Sequence, residues 1–367
     1  MTLKMPVYII AEAGVNHNGS EELAKKMIDC AADSGANAVK FQSFSADRLV
    51  AKSAPSAEYQ IAGMGEEKSQ WQMLKNLEMS DTMQEELSRY AANLNIDFLS
   101  TPFDTQSLQT LLKTTSMPRV KVASGEITNA PLLLRVALTG LPVILSTGMC
   151  TLGEIEDALS VLAFGYQTGL DRPVNANSFK DAYCDPAARE QLSKLVTLLH
   201  CTSQYPTEYE NVNLRAMQTM AKSFGLPVGY SDHTMGIAIS CAAVAMGATM
   251  LEKHFTLDRS FKGPDHRMSL EPGELKALVQ AVREIEVALG SPFKYPTPGE
   301  IALKPLVRKG LFAVVPIKEG EAFTSENLAS KRPEGPVSAA NYWNVLGKRA
   351  SRSYDEDEAL TEVSGVQ

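Results

Sequence analysis

The sequence lacks the features that mark a secreted, membrane-bound or nucleic-acid-binding chain. No apolar run approaches the ~18 residues that span a membrane, and the start MTLKMPVYIIAEAG has no long apolar segment with a small-residue cleavage site. The five cysteines have no CxxC spacing, and their odd number favours a reducing compartment over a disulfide framework. With 35 basic against 43 acidic residues, the chain has no excess of positive charge to neutralise phosphates. We therefore expect a cytoplasmic protein that has neither a nucleic acid nor a membrane as its partner.

What the sequence does contain is a regular alternation of short, β-branched apolar runs with longer stretches of helical period. This alternation is typical of a parallel sheet. The predicted strands are residues 7–14, 37–44, 97–103, 119–126, 142–149, 195–203, 226–234 and 249–256. Eight strand–helix units predict an α/β fold of the (β/α)8 type, a TIM barrel, with a doubly wound open sheet as the alternative.

Polar residues collect where these runs end, as expected for a barrel whose active site lies at the C-terminal ends of its strands. The stretches LPVGYSDHT and TMLEKHFT both pass from apolar to polar residues, and they place His233 and His254 on neighbouring strand ends. Two neutral imidazoles can share one divalent cation, with water, substrate oxygen or a carboxylate such as Glu252 or Asp232 completing an open shell that suits Mn2+ or Mg2+. A strand cap or a core hydrogen bond is the alternative role for each histidine.

Two lysines, Lys40 and Lys121, end the second and fourth predicted strands among apolar neighbours. A buried ammonium group is costly unless it is paired, so we expect an anion beside them. Hydroxyl groups that could join the lysines around a phosphate or carboxylate belong to Thr101, Ser124, Ser146, Ser203 and Ser231. Internal salt bridges with Glu12 or Glu126 are the alternative, and these two carboxylates are also candidate general acids or bases.

The pattern also predicts the domain organisation. Residues 1–289 form the catalytic barrel, the proline-rich residues 290–300 a linker, and residues 301–367 a compact β-rich domain. Two connections within the barrel are longer than a simple loop. We expect residues 45–80 to cover the site, and we assign no chemistry to residues 165–191.

A series of motifs now gives a resemblance to a known family. In chain order they are AEAGVNHNG, VKFQSF, LSTPFD, KVASGEITN, ILSTGM, LLHCTSQYPT, GYSDHT, LEKHFT and GPDHRMSLEP, followed by KRP. Together they resemble the sialic acid synthase family over essentially the whole chain. The resemblance implies a TIM barrel joined to a C-terminal antifreeze-like (SAF) domain. It also implies a domain-swapped homodimer in which each SAF domain closes the partner's barrel.

The activity that the resemblance implies is a metal-dependent condensation of phosphoenolpyruvate with the open-chain aldehyde of an N-acetylated amino sugar, with release of phosphate. The start AEAGVNHNG resembles that of the N-acetylneuraminate and legionaminate synthases. N-acetylmannosamine is the favoured acceptor, and 2,4-diacetamido-2,4,6-trideoxymannose is the alternative. The expected metal is Mn2+, with Mg2+ or Co2+ as alternatives.

The resemblance also implies a role for each matching residue. Phosphoenolpyruvate contacts fall to Lys40, Thr101, Lys121, Ser124, Ser146, Ser203 and Ser231, although family members can have Asn at the position of Ser203. Sugar contacts fall to Glu12, Tyr205, Asp265 and, from the partner subunit, the arginine equivalent to Arg332. The metal ligands are His233 and His254, and the catalytic carboxylates are Glu12, Glu126 and Glu252.

Two readings from other classes stay open at this point. A Schiff-base aldolase would use Lys121 or Lys40 as its nucleophile, because lysines on barrel strands can serve that role. A non-enzymatic carbohydrate- or ice-binding module would take its function from the C-terminal domain. The paired histidines favour the metal-dependent reaction over both.

Overall fold

The barrel is an eight-stranded parallel sheet. The computed structural model describes residues 6–55, 69–168, 173–361 and 363. The strand order is β3-β2-β1-β8-β7-β6-β5-β4, and β3 lies against β4, so the sheet curls into a nearly closed barrel. The strands are β1 (Tyr8–Gly14), β2 (Ala38–Ser43), β3 (Asp97–Pro102), β4 (Val120–Val122), β5 (Val143–Ser146), β6 (Val196–His200), β7 (Val228–Asp232) and β8 (Met250–His254). The predicted TIM barrel is confirmed, and the doubly wound alternative is wrong.

Helices surround this sheet. They are α1 (Glu21–Asp33), α2 (Ala46–Leu49), α3 (Gln70–Lys75), α4 (Asp81–Asn93), α5 (Thr105–Thr114), α6 (Ala130–Ala137), α7 (Leu152–Thr168), α8 (Ala176–Cys184), α9 (Pro186–Leu195), α10 (Ala216–Phe224), α11 (Ala238–Ala245) and α12 (Pro272–Leu289). Side-chain caps begin several of them: the Asp104 carboxylate accepts from two backbone N–H groups of α5, and Asn129 Oδ1 accepts from Leu132 N of α6. Such a cap satisfies amide groups that have no partner within the helix.

The inside of the barrel is filled by one apolar layer. It consists of Ile10, Ala38, Leu99, Ile144, Leu199 and Met250, all of them buried. Gly229 completes the layer on β7 without a side chain, because a Cβ there would lie 2.4 Å from the Met250 carbonyl oxygen. Side chains two positions further along each strand point to the same side, so the next layer lies directly above the apolar one. That next layer carries the ionisable groups.

The two long connections are only partly described. Between 45 and 80 the chain forms α2 and α3, and residues 56–68 lie outside the described residues. Between 165 and 191 it completes α7 and forms α8 and most of α9, with 169–172 outside the described residues. The ring of Phe164 packs edge-on against Phe179, 5.2 Å between centroids, so α8 packs against α7. This insertion therefore adds a helical layer.

A second compact unit follows the barrel, and the chain divides between Gly290 and Ser291. It contains α13 (Pro298–Val307), the antiparallel pair β9 (Gly310–Ala313) and β10 (Leu328–Lys331), and α14 (Tyr342–Val345). Its own core includes Leu311, Phe323 and Tyr354. The first residues of α13 fall within the segment predicted as a linker, because Thr297 caps that helix and Pro298 fits its first turn. No helix in the described part of the chain is long and apolar enough to cross a membrane.

Candidate active site

A cavity of about 310 Å³ opens at the C-terminal ends of the barrel strands. The predicted site residues that line it are Glu12, Lys40, Thr101, Lys121, Ser124, Glu126, Ser146, Ser203, Tyr205, His233, Glu252, His254 and Asp265. Ser231 is buried beside the cavity and donates a hydrogen bond to Glu252. Arg332 belongs to the C-terminal unit, just after β10. The barrel thus gathers residues from distant parts of the sequence at one place.

The floor of the cavity holds two ammonium groups and two carboxylates. Lys40 Nζ lies 2.7 Å from Glu12 and 3.6 Å from Glu252, and Lys121 Nζ lies 3.4 Å from Glu252. Lys40 also donates to Thr101 Oγ1 at 3.0 Å. The internal salt bridge weighed as an alternative for Lys40 is therefore present. The sequence analysis did not anticipate that Glu252 would lie between both lysines.

Burial and charge act on these groups in opposite directions. Burial lowers the pKa of Lys121 and raises that of Glu12. Burial alone would also raise the pKa of Glu252, but the neighbouring Lys121 and Lys40 lower it to about 2. The pKa of Lys40 is raised despite its burial, because Glu12 and Glu252 stabilise its charge. The floor therefore keeps Glu252 and Lys40 charged and offers N–H donors to an incoming anion.

Beside the lysines, hydroxyl groups surround a glycine. Ser124 Oγ accepts from the backbone N–H of Gly148 at 2.9 Å and lies 3.2 Å from Cys201 Sγ. A Cβ at Gly148 would lie 2.5 Å from Ser203 Oγ. Glycine lets the chain pass this close to both hydroxyl groups without displacing them. Sequence reasoning missed Gly148 and Cys201 as site residues, although both fall within the quoted motifs ILSTGM and LLHCTSQYPT.

The two histidines lie together in the cavity lining. Their ring centroids are 5.5 Å apart. His233 donates from Nδ1 to the Thr202 carbonyl oxygen at 2.6 Å, which leaves a lone pair on Nε2. Burial lowers the pKa of His233 to about 4 and that of His254 well below its usual value, so both rings are neutral. His254 Nδ1 is buried and makes no hydrogen bond to the described residues.

This donor set fits a divalent cation with open coordination positions. Neutral imidazoles are suitable ligands, and the hydrogen bond to Thr202 selects the tautomer that leaves His233 Nε2 available. The Asp265 carboxylate lies 4.0 Å from His254 Nδ1. Among the described residues no group of three or more His, Cys, Asp or Glu side chains is arranged to hold a metal. Any cation here would complete its shell with water or substrate oxygen.

Further groups surround the histidines on the open side of the cavity. The ring of Tyr205 stacks on His233 at 4.1 Å between centroids. Burial, with the charge of Glu12, raises the pKa of Asp265 to about 7. Glu126 follows β4 in a short 3-10 turn and accepts a hydrogen bond from Asn129 at 2.7 Å. Because Asn129 also caps α6, the position of Glu126 is tied to the start of that helix.

An ion pair outside the barrel wall joins β7 and β8, so Asp232, which the sequence offered as a carboxylate for the metal shell, pairs with a lysine and does not line the cavity. Lys253 Nζ lies 3.1 Å from Asp232, and both side chains are buried. Asp232 also accepts from the backbone N–H and the hydroxyl of Thr234 and from Ser240 of α11. Lys253 completes the network by donating to the Thr234 carbonyl oxygen. We call these four residues the latch.

Removing the latch cation is expected to destabilise the barrel. Lys253→Met leaves the Asp232 carboxylate buried without its counter-ion, so the free energy of unfolding should fall by about 3–5 kcal/mol. The double variant Asp232→Asn/Lys253→Met should recover most of that loss, since no uncompensated charge remains. Urea unfolding of the three proteins measures both effects. Glu22→Gln, in an exposed pair with Lys26, serves as the control and should leave the midpoint unchanged. Equal stability of Lys253→Met and the parent would contradict the role of the latch.

The fold and the cavity define a TIM-barrel protein with two buried lysines on the cavity floor and a pair of histidines beside them. The comparisons with known proteins then identify the family. The NeuB family model matches residues 27–294 and the SAF domain model matches residues 308–363. The chain therefore belongs to the NeuB family, and the resemblance to the sialic acid synthase family is confirmed.

Two curated relatives and one solved structure show the extent of this similarity. The chain is 47% identical to the N,N'-diacetyllegionaminic acid synthase of Campylobacter jejuni, covering 96% of this chain and 98% of the relative. It is 44% identical to the enzyme of the same name from Legionella pneumophila, covering 97% and 94%. The crystal structure of an N-acetylneuraminic acid synthetase from Leptospira borgpetersenii, in complex with citrate, is 36% identical with a TM-score of 0.65, covering 82% of this chain and 90% of that one.

Proposed function

We propose that this protein condenses phosphoenolpyruvate with the open-chain form of 2,4-diacetamido-2,4,6-trideoxymannose, with the uptake of water and the release of phosphate. The observation that carries the proposal is the convergence of Lys40, Lys121, His233 and His254 on one cavity. The two most similar relatives cited above favour this acceptor, which the sequence analysis had ranked second. N-acetylmannosamine, ranked first from the sequence, becomes the second candidate and is supported by the similarity to the Leptospira enzyme.

The lysines and hydroxyl groups hold the phosphoenolpyruvate. Lys121 and Lys40 donate charge-assisted hydrogen bonds to its carboxylate and phosphate, and Ser124, Ser146 and Ser203 provide neutral donors beside them. Buried ammonium groups interact more strongly with an anion than solvated ones do. The floor therefore orients the enol carbon toward the open side of the cavity.

His233 and His254 would hold the divalent cation, for which we propose Mn2+, with Mg2+ or Co2+ as alternatives. When bound, the cation supplies a Lewis acid for the sugar aldehyde oxygen. The Thr202 carbonyl keeps His233 in the tautomer that this requires. Tyr205, Asp265 and Glu12 line the side of the cavity where the sugar would lie.

The reaction forms a carbon–carbon bond and breaks a carbon–oxygen bond. Carbon 3 of phosphoenolpyruvate attacks the aldehyde carbon, whose oxygen becomes a hydroxyl group, and carbon 2 becomes electron-deficient. Water adds to carbon 2 and gives up a proton, and the phosphate then leaves with its bridging oxygen. Glu126 lines the cavity, is held by Asn129 and is positioned to orient that water. Lys40 and Lys121 stabilise the charge on the departing phosphate.

The first test compares the acceptors and the metal in one assay. Protein stripped with a chelator should release no phosphate from phosphoenolpyruvate, and added Mn2+ should restore turnover. We expect a higher kcat/KM with 2,4-diacetamido-2,4,6-trideoxymannose than with N-acetylmannosamine. Turnover that survives the chelator, together with trapping of the protein by borohydride and substrate, would instead indicate the Schiff-base aldolase. Absence of phosphate release with every amino sugar would favour the binding-module reading.

We further propose that the protein is a domain-swapped homodimer in which Arg332 reaches the partner's sugar site. One feature that supports this is helix α13, which buries none of its residues although Ile301, Leu303 and Leu306 are apolar and exposed. An exposed apolar helix is a common place for a second subunit to bind. Arg332 itself is exposed, so its side chain is accessible to a second subunit.

Mixing inactive variants tests the swap directly. His233→Ala and Arg332→Ala should each have low activity alone, whereas in a mixed dimer one site combines an intact barrel with an intact partner arginine. Random exchange of equal amounts should restore about a quarter of the parent activity, because half of the dimers are mixed and each has one complete site. Mixing His233→Ala with Lys121→Met is the matched control, since both changes lie in the barrel and no complete site can form. Failure of the first mixture to regain activity after exchange would contradict the swap.

A further inference from the structure

One side of the cavity is apolar, in contrast to its floor. Phe44, Leu49, Met73, Leu74, Leu77 and Phe103 line it there and pack on one another in a separate cluster. We call these six residues the apolar wall. The rings of Phe44 and Phe103 meet edge to face with 6.0 Å between centroids. Among the described residues this cluster contributes no charged group to the cavity.

The topology places the apolar wall in a different sector of the barrel from the paired histidines, next to the strands that carry Lys40 and Thr101. Phe44 and Phe103 come directly after β2 and β3, whereas His233 and His254 lie at the ends of β7 and β8. β1, which carries Glu12, lies between these two sectors of the barrel. A sugar whose aldehyde lies at the histidines and which extends across Glu12 would therefore bring its far end to the wall.

The cations nearest the wall in sequence are already paired elsewhere. Arg48 Nε lies 2.9 Å from Asp104, and Lys75 lies 3.1 Å from Glu78. Neither residue lines the cavity. A phosphate or hydroxyl group placed against the wall would thus lose water and find no described charge or donor there, except for Gln70 and Gln42 at its border.

We propose that the apolar wall receives the 6-methyl end of the acceptor sugar and selects against amino sugars that carry a 6-hydroxyl or 6-phosphate group. This inference rests on the proposed function, since it concerns the acceptor of that same reaction. A methyl group buries apolar surface against Leu49, Met73 and Leu74, whereas a hydroxyl at that position would have only Gln70 and Gln42, at the border of the wall, as described hydrogen-bond partners. The preference for a 6-deoxy sugar would therefore depend on Leu49 of α2 and on Met73 and Leu74 of α3.

The size of the effect follows from the chemistry of the wall. A hydrophobic pocket rejects an added hydroxyl group by at most about 100-fold in kcat/KM. Rejection of a phosphate dianion should be larger, because an unpaired charge costs more to desolvate than a hydroxyl group. Met73 is the residue to change, because it is 2% exposed and belongs both to the cavity lining and to the packed cluster.

The test uses two acceptors that differ only at carbon 6, namely 2,4-diacetamido-2,4,6-trideoxymannose and 2,4-diacetamido-2,4-dideoxymannose. The parent protein with Mn2+ should prefer the 6-deoxy sugar by about 10- to 100-fold in kcat/KM. Met73→Gln, which keeps the side-chain volume and adds an amide, should reduce this preference at least about tenfold without raising the KM for phosphoenolpyruvate. N-acetylmannosamine 6-phosphate should remain a poorer acceptor than N-acetylmannosamine in the parent.

Matched controls separate specificity from folding. Met83→Gln makes the same change at a methionine of α4 that is buried in the main core and does not line the cavity, so it should leave the preference unchanged. Met73→Leu keeps the wall apolar and should also retain the preference. If Met73→Gln does not fold, Leu49→Asn makes the equivalent change at a half-buried residue of the wall.

Each outcome decides one of the two proposals. Equal kcat/KM of the parent for the two sugars would overturn the role of the wall while leaving the proposed function in place. A preference that survives Met73→Gln, or that changes equally in Met83→Gln, would also overturn it. Absence of phosphate release with any of the sugars would instead remove the proposed function, and this inference with it.

Discussion

His233→Ala is expected to lower kcat/KM by at least about a thousandfold while the barrel stays folded. The alanine removes the Nε2 lone pair that the Thr202 carbonyl keeps available, so one of the two proposed imidazole ligands is lost. Loss of several kcal/mol of stabilisation of the developing alkoxide accounts for an effect of this size. Phosphate release measures turnover, and titration calorimetry with Mn2+ measures metal binding without any reaction.

The matched control is a partly buried histidine outside the cavity. His200 donates from Nε2 to the Val212 carbonyl oxygen at 2.7 Å and does not line the cavity. His200→Ala should cost stability but leave the affinity for Mn2+ unchanged. Near-normal turnover or metal affinity of His233→Ala would contradict the assignment of the metal site.

Lys121→Met is expected to have the second-largest effect, a loss of about 100- to 1,000-fold in kcat/KM that appears mainly as a higher KM for phosphoenolpyruvate. The change removes one of the two buried ammonium groups and leaves Glu252 with Lys40 at 3.6 Å as its remaining cation. The floor then carries an excess of negative charge, which repels an anionic substrate. Titration calorimetry with phosphoenolpyruvate alone, in the absence of the acceptor sugar, measures binding directly. It therefore separates a loss of affinity from a change in the chemical step.

The latch provides the control for this change. Lys253→Met removes an equally buried ammonium group from β8, outside the cavity lining. Below its melting temperature this variant should keep the parent's KM for phosphoenolpyruvate. If the two Lys→Met variants weaken phosphoenolpyruvate binding equally, the effect of Lys121 is structural and the proposed anion site is wrong.

Much of the site was predictable because parallel strands have a period of two residues. Glu12, Lys40 and Thr101 each follow by two positions an interior residue of the apolar layer, and the same holds for Ser146 and Glu252. Any ionisable residue at such a position must face the barrel mouth. The predicted strands nevertheless ran too long, since Ser124 and Glu126 lie in a 3-10 turn after β4 and Ser203 lies in the loop after β6.

Several contacts had no local signal in the sequence. The position of Glu252 between Lys40 and Lys121 depends on three strands that are far apart along the chain. The salt bridge between Lys253 and Asp232 joins the motifs LEKHFT and GYSDHT, and nothing in either motif indicates that these two side chains pair. The apolar wall draws on α2 and α3, and no regular pattern in residues 45–80 indicated which side chains would reach the cavity.

The sequence by itself determined the barrel, the strand ends at which the candidate site residues collect, and the presence of a second domain. These properties depend on local periodicity and residue type, which each segment carries with it. Only the tertiary structure decided which charges pair, which imidazole nitrogen stays available and which side of the cavity is apolar. Those properties depend on distances between residues such as Glu12, Lys121 and His254, and such distances exist only once the sheet has closed.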